Sequence, residues 1–195
     1  YAEAANVKSR VKLPNIRKGE YEGMKEKIKD PKWAPDYGKA ESHPTFGVIG
    51  VGARIPLIAF NIDLDTTDTK IAASIAKAIR FSSGGFRHVQ AGPVYLDTRG
   101  HVQVTMNILD YKKNPLYRIL ETVKMEAKRY GVDVPSCELV GLMPKGTIIN
   151  SLKYYYAVEE KEWIKGIGLE DLTQEAIKYM GFRDFDVLKI IEANI

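Results

Sequence analysis

HVQAGPVYLDTRGHVQVTMNILD, residues 88–110, is the stretch whose reading decides the fold. Two strand-like runs, HVQAGPVYLD and HVQVTMNILD, meet at the short glycine-containing link TRG, a pattern that predicts a β-hairpin. Along the second run Val102, Val104, Met106 and Ile108 alternate with His101, Gln103, Thr105 and Asn107. Successive side chains of a strand point to opposite faces, so one face is apolar and the other polar but uncharged. The apolar face requires helices to cover it. The polar face suits either bulk water or a wet ligand cleft closed by a second sheet.

Before the hairpin, PLIAFNIDL (56–64) is a short apolar run rich in strand formers. Asp65 or Thr66 then offers an oxygen to cap a helix whose Ile71, Ile75 and Ile79 recur every four positions, and the link SSGGF (82–86) leads into the hairpin. After the hairpin, Asn114 as cap, Pro115 at the first helical position and the stripe Leu116, Ile119, Leu120, Val123 and Ala127 predict a second helix stopped by Gly131. SCELVGLMP (136–144) supplies a fourth strand. The order strand, helix, strand, strand, helix, strand predicts an α/β (α+β) fold of split βαβ, ferredoxin-like type: an antiparallel or mixed sheet with helices on one face. The last fifty or so residues read as short helices separated by KGIGLED and MGFRDFD.

Residues 1 to about 54 differ in character. Breakers are frequent there (Pro14, Gly19, Gly23, Pro31, Pro35, Gly38, Pro44, Gly47, Gly50, Gly52), and GEYEGMKEKIKD (19–30) is the only strong helical candidate. This segment reads as a connecting arm without a core of its own.

Composition bounds the class. With 195 residues, 45% apolar and 28% charged, the chain is ordinary globular protein, one domain or two subdomains. Its apolar runs fall short of the roughly 20 residues of a membrane helix and its start carries no apolar signal core, so the expectation is a cytoplasmic protein without membrane contact. The single Cys137 excludes an internal disulfide framework and a multi-cysteine zinc site, and no metal is expected. A net charge of +4 from 29 basic and 25 acidic residues is nearly balanced and does not imply nucleic acid. The first residues, YAEAANVKSRV, read as the end of a strand running into a turn, which leads us to expect a further part upstream.

The glycines of HPTFGVIGVGAR (43–54) precede a strand. A dinucleotide fingerprint places them after one, and a phosphate loop ends in Gly-Lys-Ser/Thr before a helix; neither pattern is met. What remains is a linker needing unusual backbone angles, or a loop whose amides approach a flat ligand. His43, His88 and His101 have no serine, cysteine or carboxylate at a triad or metal spacing and read as surface histidines. Asp36 and Asp110 suit either an amine ligand or local capping, and Trp33 and Tyr37 either ring stacking or packing.

YAEAA, LPNIRKGEYEGMKEKIKDPKWAPDYG, GARIPLIAFNIDL, VTMNILDY and ELVGLMPKGTI, in this order and spacing, resemble the corresponding segments of glutamate formiminotransferase, the folate enzyme of histidine breakdown and one-carbon metabolism. The resemblance covers nearly the whole chain and weakens only after about Lys161. It implies two subdomains with facing sheets and a folate tunnel between them, residues 1–55 being the tail of the N-terminal subdomain with the crossing segment and residues 56–195 the C-terminal subdomain. It places the folate-binding stretch on Gly38, Lys39, Ala40, Glu41, Ser42, His43, Pro44, Thr45, Phe46 and Gly47. His101, Gln103, Thr105 and Asn107 become candidate wall residues, with Asn61 on a neighbouring strand.

The implied reaction transfers a formimino group from N-formimino-L-glutamate to tetrahydrofolate, the co-substrate. A formyl donor in place of the formimino one, a non-catalytic folate-binding module and an assembly subunit are the alternatives. The family's catalytic histidine corresponds to a position upstream of Tyr1, so no histidine of this sequence inherits that role. The implied partners are folate, formiminoglutamate, an N-terminal subdomain and a second copy in a homodimer.

Overall fold

The computed structural model describes residues 1–195, which divide into two compact units, Tyr1–Ile55 and Pro56–Ile195.

The first unit has little regular structure. Helix α1 spans Leu13–Arg17 with Pro14 in its first turn, and α2 spans Glu20–Lys27. Ile28 is its only buried apolar residue, so polar contacts have to organise it. Lys27 Nζ donates to the carbonyls of Asn15 and Ile16, both at 2.6 Å, and of Lys18 at 3.0 Å, satisfying acceptors left over at the end of α1. The same ammonium lies 4.4 Å from the Trp33 ring centroid. Trp33 is thereby engaged within its own unit. The ends of the unit meet in a parallel bridge between Ala2 and Ala53.

The second unit is built on a four-stranded sheet. Strand β1 (Ile58–Leu64) is followed by α3 (Thr69–Ile79), β2 (Val89–Leu96), β3 (His101–Ile108), α4 (Leu116–Lys128) and β4 (Cys137–Val140). The spatial order is β2-β3-β1-β4 and each neighbouring pair is antiparallel, the split βαβ arrangement predicted from the element order. Helices α5 (Lys145–Val158) and α6 (Leu169–Met180) complete the regular elements.

One sheet face is the core. Ile58, Phe60, Ile62 and Leu64 of β1 lie beside Val102, Val104, Met106 and Ile108 of β3, all at most 2% exposed. All five stripe residues of α4 are fully buried against this face. From α3 come Ala72, Ile75, Ala76 and Ile79, with Ile71 only partly buried at the edge. Each large side chain so buried contributes roughly 1.5–3 kcal/mol, more than any single surface interaction of the chain supplies.

The structure corrects both expected helix caps. Asp68, not Asp65 or Thr66, caps α3, its Oδ1 accepting the Lys70 amide at 2.8 Å. The Asp65 amide instead donates to the Asp133 carbonyl, and Thr66 Oγ1 accepts the Asp68 amide, so those residues extend the strand end before the helix can begin. In α4 the cap position belongs to Pro115. Asn114 is buried, donating to the carbonyls of Arg87 at 2.7 Å and Asp110 at 3.2 Å, and so ties the helix start to the segment before β2.

Beyond α6, Gly181 takes φ +71 and ends the helix. Residues 181–183 then run parallel to β4: the Cys137 amide donates to the Gly181 carbonyl and the Arg183 amide to the Cys137 carbonyl, both at 2.9 Å. Phe182 enters the core, its ring 5.8 Å from that of Phe60. Alternation along this segment sends Arg183 to the opposite face.

Candidate functional site

The polar sheet face is assembled from registered rows. Gly92, Thr105, Asn61 and Glu138 lie side by side across β2, β3, β1 and β4; Gln90, Asn107, Ala59 and Val140 form the next row; Val94, Gln103 and Asp63 form the third. The predicted residues of β3 therefore do share one face. That face is not uncharged, however. Asp63 comes from β1 and Glu138 from β4 beside it, and Arg183 arrives from the segment after α6.

Asp63 is the centre of this network. It is 1% exposed and both of its oxygens are taken. Oδ1 accepts from Gln103 Nε2 at 2.6 Å, and Oδ2 accepts from Ser136 Oγ at 2.6 Å and Arg183 Nε at 2.7 Å. Burial alone would raise the Asp63 carboxyl, but the hydrogen bonds from Arg183, Ser136 and Gln103, with His101 nearby, outweigh it and bring it down to about 2. Reciprocally, burial works against the Arg183 charge, while Asp63 and Glu138 more than restore it and push its proton affinity above the ordinary guanidinium range. His101 Nε2 lies 3.2 Å from Asp63 Oδ1 but off the line of a hydrogen bond.

Glu138 is used differently. Its Oε2 accepts from Arg183 Nη2 at 2.8 Å and Gln103 Nε2 at 3.3 Å, with Asn61 Nδ2 at 3.5 Å, and the side chain is 25% exposed. Thr105 Oγ1 donates to Asn61 Oδ1 at 2.8 Å. Asn61 is thus half-buried and oriented by both neighbours, whereas Asn107 is exposed.

The stretch Gly38–Gly47 belongs to the first unit. Gly38, Lys39, Ala40, Glu41, His43, Pro44, Thr45 and Phe46 are exposed, and Ser42 and Gly47 half-buried. Its second half is a tight turn closed by two hydrogen bonds of 2.9 Å between His43 and Gly47, with Gly47 at φ +69. His43 Nδ1 accepts the amides of Thr45 at 3.2 Å and Phe46 at 3.1 Å. Those contacts occupy its lone pair, which leaves the neutral ring protonated on Nε2 and gives His43 a turn-forming role. The Tyr21 hydroxyl donates to the Pro44 carbonyl. Phe46 and Gly47 border a hollow of about 310 Å³ shared with Arg17, Glu20, Tyr21 and Met24.

The remaining candidates are engaged locally. Asp36 accepts from Arg10 Nη1 at 2.7 Å, and Asp110 from the Lys113 amide at 3.3 Å with Lys113 Nζ at 3.2 Å, so capping and pairing account for both. Tyr37 is 91% exposed and unpacked. His88 sits just before β2 at φ +68, its Nε2 buried without a partner. Sequence reading missed Asp63, Glu138 and Arg183. Their signals were alternation, which puts Asp63 and Glu138 on the polar side of their strands, and the apolar-charged order Phe182, Arg183 directly after a helix-ending glycine.

The second unit is thus an α+β domain of split βαβ type, with one sheet face apolar and covered by helices and the other charged and hydrogen-bonded. Residues 59–195 match the family described as "Formiminotransferase domain", and residues 1–54 match "Formiminotransferase domain, N-terminal subdomain". The chain belongs to the formiminotransferase family.

A glutamate formimidoyltransferase of Streptococcus pyogenes serotype M1 is 47% identical over 167 residues, covering 86% of this chain and 56% of that protein. A glutamate formimidoyltransferase of Thermoplasma acidophilum is 42% identical over 157 residues, 80% of this chain and 52% of that protein. A formimidoyltransferase-cyclodeaminase of Gallus gallus is 35% identical over 189 residues, 89% of this chain and 35% of that protein. The chain thus spans about half the length of the first two relatives. No helix is long and apolar enough to cross a membrane.

Proposed function

We propose that the chain serves in transfer of the formimino group from N-formimino-L-glutamate to tetrahydrofolate, giving 5-formiminotetrahydrofolate and glutamate. The observation that carries this reading is the 47% identity to a glutamate formimidoyltransferase across 86% of the chain. Within it, residues 1–55 form the tail of the N-terminal subdomain and residues 56–195 the C-terminal subdomain. The residues assigned to folate binding are Gly38–Gly47, Asn61 and Asn107. The enzyme works in the cytoplasm as a homodimer.

Attack by the folate 5-nitrogen requires a base for its proton and donors for the tetrahedral intermediate. His43 is occupied as a turn acceptor and His101 faces the saturated Asp63, so neither is assigned as the base. This portion of the enzyme binds and orients, and the upstream subdomain supplies the base.

The test is to add tetrahydrofolate and formiminoglutamate to the chain, with and without a polypeptide carrying the rest of the N-terminal subdomain, then to acidify so that any 5-formiminotetrahydrofolate cyclises with loss of ammonia, and to read the cyclised folate by absorbance. Turnover that depends on the added subdomain supports the reading. No turnover with it present rejects the reading.

A further inference from the structure

Of the three carboxylates paired with Arg183, the two borne by strands, Asp63 and Glu138, differ in what they have left to offer. Asp63 is saturated: Gln103, Ser136 and Arg183 fill both of its oxygens and it is buried. Glu138 is not. All of its hydrogen bonds within the chain converge on Oε2, so the carboxylate is fixed in rotation while Oε1 takes none and stays open to solvent.

The floor beside it is low. In the same row stand Asn61, Thr105 and Gly92, and Ala59 lies in the next. A side chain built on Gly92 would meet nothing within 4 Å, which leaves room over that end of the row. Charge adds a direction. Asp63, Glu138 and Asp184 surround Arg183, and Arg99 joins only Asp184, so the locality favours a hydrogen-bond donor or a cation over an anion.

From this we infer that Glu138 Oε1 is a specificity-determining acceptor for a planar N–C–N donor edge, held in place by Arg183, Gln103 and Asn61. The inference rests on the proposed one-carbon transfer, whose two substrates both carry such an edge. In folate it is the 2-amino group with ring N3–H. In formiminoglutamate it is the formamidine itself. A carboxylate acceptor strengthens such a bond, and replacing N–H by oxygen leaves the carboxylate facing a lone pair.

The test is calorimetric titration of the 195-residue chain, together with the polypeptide carrying the rest of the N-terminal subdomain, with two matched pairs. One pair is 5-formyltetrahydrofolate and its analogue with oxygen in place of the 2-amino group; the other is N-formimino-L-glutamate and N-formyl-L-glutamate. We expect the native chain to prefer the nitrogen-bearing member of one pair by about tenfold or more. The pair that shows the preference identifies the source of the donor edge. Glu138→Gln should erase that preference while leaving the thermal unfolding midpoint close to native. Equal affinity within both pairs in the native chain, or a preference that survives Glu138→Gln, overturns the inference and leaves the folate reading standing. Absence of binding to all four compounds overturns both.

Discussion

Arg183 Nε donates to Asp63 Oδ2 at 2.7 Å, joining residues 120 positions apart in the chain. The guanidinium serves Glu138 at the same time and is itself mostly shielded from solvent. Its removal would leave a buried carboxylate without its charge partner, the most costly way to break such a pair. Arg183→Met should therefore destabilise the second unit by about 3 kcal/mol. Urea unfolding followed by circular dichroism checks this, and a loss within experimental error of zero would show that Asp63 is satisfied without the arginine.

The same contact sets an acid dependence. Asp63 sits at about 2 in the folded chain against an ordinary value of 3.8, so the unfolded chain binds its proton first as pH falls. The stabilisation is fully present above about pH 4 and is lost as pH drops through about 2, an effect on the order of 2 kcal/mol. Urea midpoints measured between about pH 5 and pH 2 should show this decline in the native chain, and Asp63→Asn should flatten that component.

Packing of α4 offers a separate measure. Leu120 is fully buried in the stripe that covers the sheet, whereas Met125 on the same helix is 60% exposed. Leu120→Ala should cost about 2–5 kcal/mol in transfer and cavity terms. Met125→Ala should stay within about 0.5 kcal/mol. Thermal unfolding of the two variants side by side tests whether the helix docks in the orientation described.

Gly85 is needed for close approach. A Cβ there would lie 2.4 Å from the carbonyl carbon and oxygen of Ile79 and 2.5 Å from the Ala78 carbonyl oxygen, all backbone atoms at the end of α3. Backbone cannot step aside as a side chain can, so Gly85→Ala should lower stability by about 1–3 kcal/mol. Gly100→Ala meets no atoms and carries only the cost of its φ of +68, so it is the milder change in a parallel denaturation experiment.

Cys137 is fully buried, its thiol donating to the Met180 carbonyl at 3.3 Å, and burial pushes its proton affinity far above that of a free thiol. The native chain should resist alkylation at neutral pH and react fully once unfolded in denaturant. Mass spectrometry after a timed iodoacetamide pulse reads this directly, and rapid labelling of the native chain would contradict the packing of β4.

The apolar half of this architecture was legible in the sequence because it is periodic. The four-residue recurrence of Ile75 and Ile79 and the stripe from Leu116 to Ala127 reappear as buried helix faces, and the alternation of His101 to Ile108 reappears as the two faces of β3. Caps were less legible, since Asp65, Thr66 and Asp68 all carry suitable oxygens and the choice depends on how far β1 continues its pairing with neighbouring backbone. The charged centre was least legible. Asp63, Glu138 and Arg183 become neighbours only through sheet order and the parallel run of residues 181–183, a relationship between distant segments that no local window contains.

That late segment also sets an order of events as the chain is made. Synthesis proceeds from the N-terminus, and the four strands with α3 and α4 are complete by Val140, more than forty residues before Arg183 is added. Until then Asp63 has Gln103 and Ser136 but no countercharge, and Glu138 lacks its firmest anchor. The apolar side is completed no earlier, since Phe182 and Phe185 belong to its core. Both faces of the sheet are thus finished by one dipeptide, Phe182 on the apolar side and Arg183 on the polar side, added only after all four strands.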